Sequence, residues 1–116
     1  MGEAQRSTVR LTHYGRKSGK PYRVTIWFVV IDGRVWLGSM KPQRSWVRNL
    51  AASGRGELDF GSGPRAFRCT PVKKPSDIER FAAAIRAKHP LTSRLLALFL
   101  TVDRCAFRTD LALDAS

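Results

Sequence analysis

The densest chemistry in the chain lies in residues 11–30. There Gly15 and Gly19 bracket Arg16, Lys17 and Ser18, and Lys20 and Pro21 follow. Glycines that accept positive φ make a tight bend, and the bend gathers cationic side chains beside backbone N–H groups that no ladder uses. That combination is an anion cradle. The same residues also read as a solvated hairpin turn whose charges keep the neighbouring strands from pairing with other chains. They do not form a P-loop: the glycines are too close together, and Pro21 stands where Ser or Thr should follow the lysine.

Side-chain catalysis has little else to draw on. Both histidines read first as structural or surface residues: His13 ends a strand beside the basic bend, where its alternative role is to touch a ligand held there, and His89 precedes a proline; no metalloprotease-type histidine spacing occurs. Cys69 and Cys105 are far apart and outside any CxxC spacing, so neither zinc nor a redox pair is expected. Each cysteine alternates with an aromatic residue, Phe67 or Phe107, which points to buried free thiols in a reducing compartment. The nine carboxylates are scattered and none is paired within an apolar stretch. If the chain is an enzyme, the reactive atom belongs to a bound cofactor, and the protein supplies orientation and charge.

The elements that must hold the bend follow from periodicity. Residues 7–12 alternate as a first strand. Residues 22–31 are β-branched and aromatic, with an apolar second half that calls for cover on both faces. Asp32-Gly33 signals a tight hairpin into a third strand at 34–38, with Val35 and Leu37 on one side and Trp36 on the other. A short helix follows, with Trp46, Val47, Leu50 and Ala51 on its apolar face, Arg44, Arg48 and Asn49 pointing elsewhere, and Gly54 as its stop. Residues 57–60 and 66–72 form a second hairpin around Gly61-Ser62-Gly63-Pro64. The spacing Ser76 to Glu79 predicts a capping box and a helix from about Asp77, with Ile78, Phe81, Ala82 and Ile85 as its stripe. Residues 91–100 suit a further short helix or packed loop, 102–109 a last strand, and 112–116 a frayed end. The expected fold is a single domain over 1–116, mainly β with helices: a six-stranded antiparallel split β-barrel with two to three short helices.

The charge, Lys+Arg 21 against Asp+Glu 9, favours anionic partners without choosing among them. Residues 1–8 are polar, with no signal-peptide pattern, and no apolar run approaches the about 20 residues of a membrane span, so a cytoplasmic location is expected.

Thr12, GRKSGKP at 15–21, Ile26-Trp27-Phe28-Val29, Gly38-Ser39 and Trp46-Val47-Arg48-Asn49-Leu50 together resemble the deazaflavin-dependent nitroreductase and quinone-reductase family. That family belongs to the split β-barrel flavin-binding superfamily, which also holds the pyridoxamine-phosphate oxidases. The resemblance covers about half the chain, residues 11–60. It implies a cofactor across the barrel, coenzyme F-420 (a deazaflavin) first and FMN as the alternative, and hydride transfer to a small quinone, nitro or enone acceptor. Carried over by position, it implies cofactor-binding roles for Arg16, Lys17, Ser18, Gly19, Thr25, Trp27, Ser39, Lys41, Trp46 and Asn49, with no catalytic side chain and no metal. Three departures stand out. Tyr22 occupies the place of an arginine, which shifts to Arg23; Thr25 replaces a proline; and the link from Ser39 to Trp46 lacks a glycine pair.

Two other classes compete. A basic barrel with Tyr22, Trp27 and Phe28 among its cations could stack single-stranded nucleic acid, although an apolar run this buried argues against it. The same barrel could also carry haem, another tetrapyrrole or a lipid without redox chemistry. A homodimer is expected where an apolar strand needs covering.

Overall fold

The computed structural model describes residues 2–39, 43–88 and 106–113. Six strands, β1 (Thr8–Tyr14), β2 (Pro21–Ile31), β3 (Arg34–Gly38), β4 (Arg55–Asp59), β5 (Pro64–Pro71) and β6 (Ala106–Ala112), close into a barrel in the order β1-β2-β3-β6-β5-β4. Every pairing is antiparallel. Two helices accompany it, α1 (Ser45–Ser53) and α2 (Pro75–Lys88), and a 3-10 turn at Glu3–Gln5 precedes β1.

The apolar run of β2 is covered on both faces, as its composition demands. Ile26 and Phe28 point into the barrel with Val9, Leu11, Val35, Leu37 and Leu58, while Val29 and Ile31 meet Phe81, Ala82 and Ile85 of α2 outside it. Trp36 lies on the α2 side and its neighbours Val35 and Leu37 inside, the period-two alternation of a pleated strand. Phe28 is fully buried with its ring 5.1 Å from that of Phe60, so truncating it to alanine would cost about 3–5 kcal/mol.

Turn chemistry sets the register. Asp32 and Gly33 both take positive φ (52° and 76°), the pattern of a two-residue turn whose twist matches the strands. Gly54 caps α1 in the left-handed region and donates its N–H to the Leu50 carbonyl at 2.8 Å. In the β4–β5 turn, Asp59 Oδ1 accepts from the N–H groups of Gly61 and Gly63. The β3–β6 pairing shifts register between Arg34 and Trp36. There the buried Thr109 hydroxyl donates to the Val35 carbonyl at 2.7 Å and accepts from the Leu111 N–H.

Several element boundaries and one helix face differ from the sequence reading; in the second hairpin β4 starts at Arg55 and β5 runs from Pro64 to Pro71, because their pairing extends from Arg55 opposite Arg68 to Asp59 opposite Pro64. β1 runs on to Tyr14, because its pairing with β2 continues to Tyr14 opposite Pro21. α2 begins at Pro75, with the Lys74 carbonyl accepting from Asp77 and Ile78, so Ser76 lies inside the first turn; proline suits a first helical position, where the N–H it lacks has no partner. Ala112 belongs to β6, and the Leu113 N–H is tied to the Gly33 carbonyl, so that end is held rather than frayed up to Leu113. On α1, Ala51 is exposed and Asn49 is buried, the reverse of the expected faces. Lys41, His89, Cys105, the expected helix at 91–100 and the start of the last strand at 102–105 lie outside the described residues. No described helix is long and apolar enough to cross a membrane.

Candidate ligand-binding cleft

Helix α1 places the site. Its Trp46, Val47 and Leu50 join the barrel core, which presses the helix against β1 and buries Asn49 beside the end of that strand. From β1 comes His13, and just beyond it the basic bend. Gly19, at φ 69°, closes the bend by donating to the Gly15 carbonyl at 3.0 Å, while Gly15 donates to Lys20 and the Lys20 N–H reaches Ser18 Oγ. The N–H groups of Arg16, Lys17 and Ser18 make no hydrogen bond among the described residues, nor does an ion pair engage Arg16, Lys17 or Lys20.

Two adjoining hollows meet at His13 and Ser45. One, of about 590 Å³, lies under the bend and is lined by Gly15, Arg16, Lys17, Ser18, Tyr22 and Asn49. The other, of about 520 Å³, runs along β2 and the end of β3 and is walled by Val24, Trp27, Trp46, Phe81 and Ile85 with Thr25, Ser39 and Arg44. Each is large enough for a small-molecule ligand. The first end is cationic and the second apolar and aromatic.

A hydrogen-bonded chain ties the two ends together. Arg16 Nη1 donates to Asn49 Oδ1 at 2.8 Å, and Asn49 Nδ2 lies 2.8 Å from His13 Nδ1. His13 and Asn49 are each only 4% exposed. Burial pushes the His13 imidazole below its usual pKa of 6.5, so it is neutral at pH 7. Tyr22, opposite His13 in the β1–β2 ladder, stacks on it with ring centroids 5.8 Å apart. The α1 N-terminus adds to the positive end: Arg44 provides no side-chain cap, and the first turn holds no acid to offset the helix dipole.

The structure gathers Arg16, Lys17, Ser18 and Asn49 at the cationic end, and Thr25, Trp27, Ser39 and Trp46 at the apolar end. Gly19 lines neither hollow and serves to close the bend. Lys41 lies outside the described residues. Tyr22 holds the cleft side of β2 where the family pattern has an arginine, while Arg23 sits opposite Thr12 and lines neither hollow. His13, Tyr22, Arg44 and Ser45 also line the cleft and are not among the cofactor-binding residues that the resemblance implies. The signal for His13 was its place one residue before Tyr14 and the bend; its partner Asn49 is 36 residues away, which no local pattern reveals. Cys69 is a buried free thiol whose pKa is pushed up to about 12, first by desolvation and then by Asp110, so it is inert. Among the described residues no cluster could hold a metal ion.

No family model matches the chain and no curated protein does. Solved structures do. An F420-H2 dependent reductase (FDR-A) superposes with a TM-score of 0.72 at 18% identity, covering 90% of this chain and 95% of that one. HutZ, the heme storage protein from Vibrio cholerae, gives 0.70 at 14%, covering 97% and 86%. An FAD-binding protein from Mesorhizobium loti gives 0.61 at 14%, covering 97% and 85%. At such identities the likeness shows the fold alone, a barrel found under three differently named activities.

Proposed function

We propose that the chain is a cofactor-dependent oxidoreductase that holds a deazaflavin, or in second place FMN, along the cleft and reduces a small quinone, nitro or enone acceptor. What carries the reading is the polarity of the cleft: at one end cations that make no ion pair and N–H groups that make no hydrogen bond among the described residues, and an apolar aromatic wall at the other, continuous through His13. A flavin-type coenzyme has the matching polarity, an anionic tail and a planar ring. The resemblance in residues 11–60 and the fold shared with a reductase named for the reduced deazaflavin point the same way.

The residues present fit such a group. Arg16, Lys17 and the N–H groups of the bend offer charge-assisted hydrogen bonds to phosphate or carboxylate, and Arg16 is already oriented by Asn49. Trp27, Trp46 and Phe81 provide the apolar surface a ring needs and exclude water from it. When bound, the reduced coenzyme supplies a hydride, and solvent supplies the proton that completes the acceptor's two-electron reduction. The chain contributes binding and orientation, which is where a positioned pair of reactants gains its rate.

The test is a turnover assay: purified protein, chemically reduced deazaflavin and a simple naphthoquinone, followed by the return of the oxidised coenzyme's absorbance. The reading expects protein-dependent reoxidation that saturates in quinone. No acceleration over the protein-free control with either deazaflavin or reduced FMN would sink it.

A further inference from the structure

We propose that His13 is a hydrogen-bond donor to the bound ligand, offering Nε2–H to an acceptor oxygen of a flavin-type coenzyme where the two hollows meet, with Arg16 and Asn49 as the positioning residues that fix its tautomer. The proposal rests on the cofactor reading above and gives it an atom.

The tautomer follows from donor and acceptor types alone. A guanidinium can only donate, so the Asn49 atom 2.8 Å from Arg16 Nη1 must be its carbonyl oxygen. The amide NH2 therefore faces His13, and Nδ1 must accept from it at 2.8 Å. A neutral imidazole with Nδ1 accepting carries its proton on Nε2. That Nε2–H has no hydrogen-bond partner among the described residues, although the side chain is 4% exposed and lines both hollows. A buried donor without an acceptor is a standing deficit, which a ligand oxygen removes. Tyr22, stacked within 28° of the imidazole plane, holds the ring.

The same tautomer sets His13 apart from a haem ligand. Ligation through Nε2 would move the proton to Nδ1, where it would face the Asn49 NH2, donor against donor, while Arg16 keeps the amide from turning over. On this barrel the chain of three residues selects an oxygen acceptor over a metal.

The test uses the full chain labelled with 15N-histidine. At neutral pH, long-range proton–nitrogen spectra of the free protein, with His13 assigned by its loss in His13→Gln, should show the Nε2–H form. Adding oxidised coenzyme F-420 should shift the His13 signals. His13→Phe should weaken that binding about tenfold, and His13→Gln, which keeps a side-chain N–H, should stay within about threefold of the wild type. The Nδ1–H form in the free protein overturns the proposal without reference to any variant's folding. Binding that leaves the His13 signals and the His13→Phe affinity unchanged also overturns it while sparing the cofactor reading. Failure of the wild type to bind F-420 or FMN removes the cofactor reading, and with it the ligand class assigned here.

Discussion

Replacing Asn49 separates a working relay from an incidental contact. Leucine matches its size, so Asn49→Leu removes the bond from Arg16 and the bond to His13 without opening a large void. The loss at His13 is the larger, because a side chain 4% exposed is left with an unsatisfied ring nitrogen, about 1–3 kcal/mol. The bond from exposed Arg16 adds less after solvent screening, about 0.5 kcal/mol, and the apolar gain of leucine offsets a similar amount. The net is a loss of about 2 kcal/mol, a midpoint about 6–10 °C lower in thermal melts of a chain this size. A variant within about 0.5 kcal/mol of the wild type, by urea titration, would refute the reasoning. Asn49→Asp tests the sign. In the wild type burial holds the folded-state value of His13 below 6.5, so the unfolded chain takes the proton first and stability falls as pH drops below about 6.5. A carboxylate at position 49 raises the folded value instead, so its contribution is full below 6.5 and lost as pH rises through the raised value.

Three further outcomes follow. Lys88 Nζ donates to the Phe28 and Ala4 carbonyls above the Phe28 ring, yet burial lowers its pKa from 10.5 to about 8; between those values the unfolded chain binds more protons at Lys88, which adds a rise in stability with pH, and Lys88→Met removes that rise in urea titrations at pH 8 and 10, leaving the fall that the raised Cys69 thiol contributes above pH 9. Gly56→Ala places a methyl 2.5 Å from the Thr12 carbonyl at the β1–β4 seam, where backbone cannot yield, and should cost at least about 2 kcal/mol by denaturant titration. Thr109→Val strips the buried bonds to Val35 and Leu111 and should lower stability by about 2 kcal/mol, leaving coenzyme affinity unchanged because it lies away from the cleft.

Local chemistry carried much of the fold. The apolar half of β2, Asp32-Gly33, the Gly54 cap and the opposed faces of Val35 and Trp36 are short-range signals that the structure realises. What was not legible came from elements distant in sequence. The pairing of β3 with β6 puts Gly38 opposite Ala106, a closure no window of the chain contains. Helical spacing alone put Asn49 on the solvent side of α1, but docking against β1 buries it, because His13 and Arg16 satisfy its amide. Likewise the bend was visible as a cationic turn, but the hollow beneath it depends on α1 being pressed onto the barrel.

The central claim is that the cationic bend grips the anionic end of a coenzyme whose ring lies on the apolar wall. Its most direct test is a titration of the wild type and Lys17→Glu with oxidised coenzyme F-420, followed by coenzyme fluorescence at low and raised salt. The account predicts saturable wild-type binding that weakens with salt, and a loss of about tenfold or more in the variant at unchanged melting temperature. Binding indifferent to both the charge reversal and the salt, or no binding at all, would contradict it.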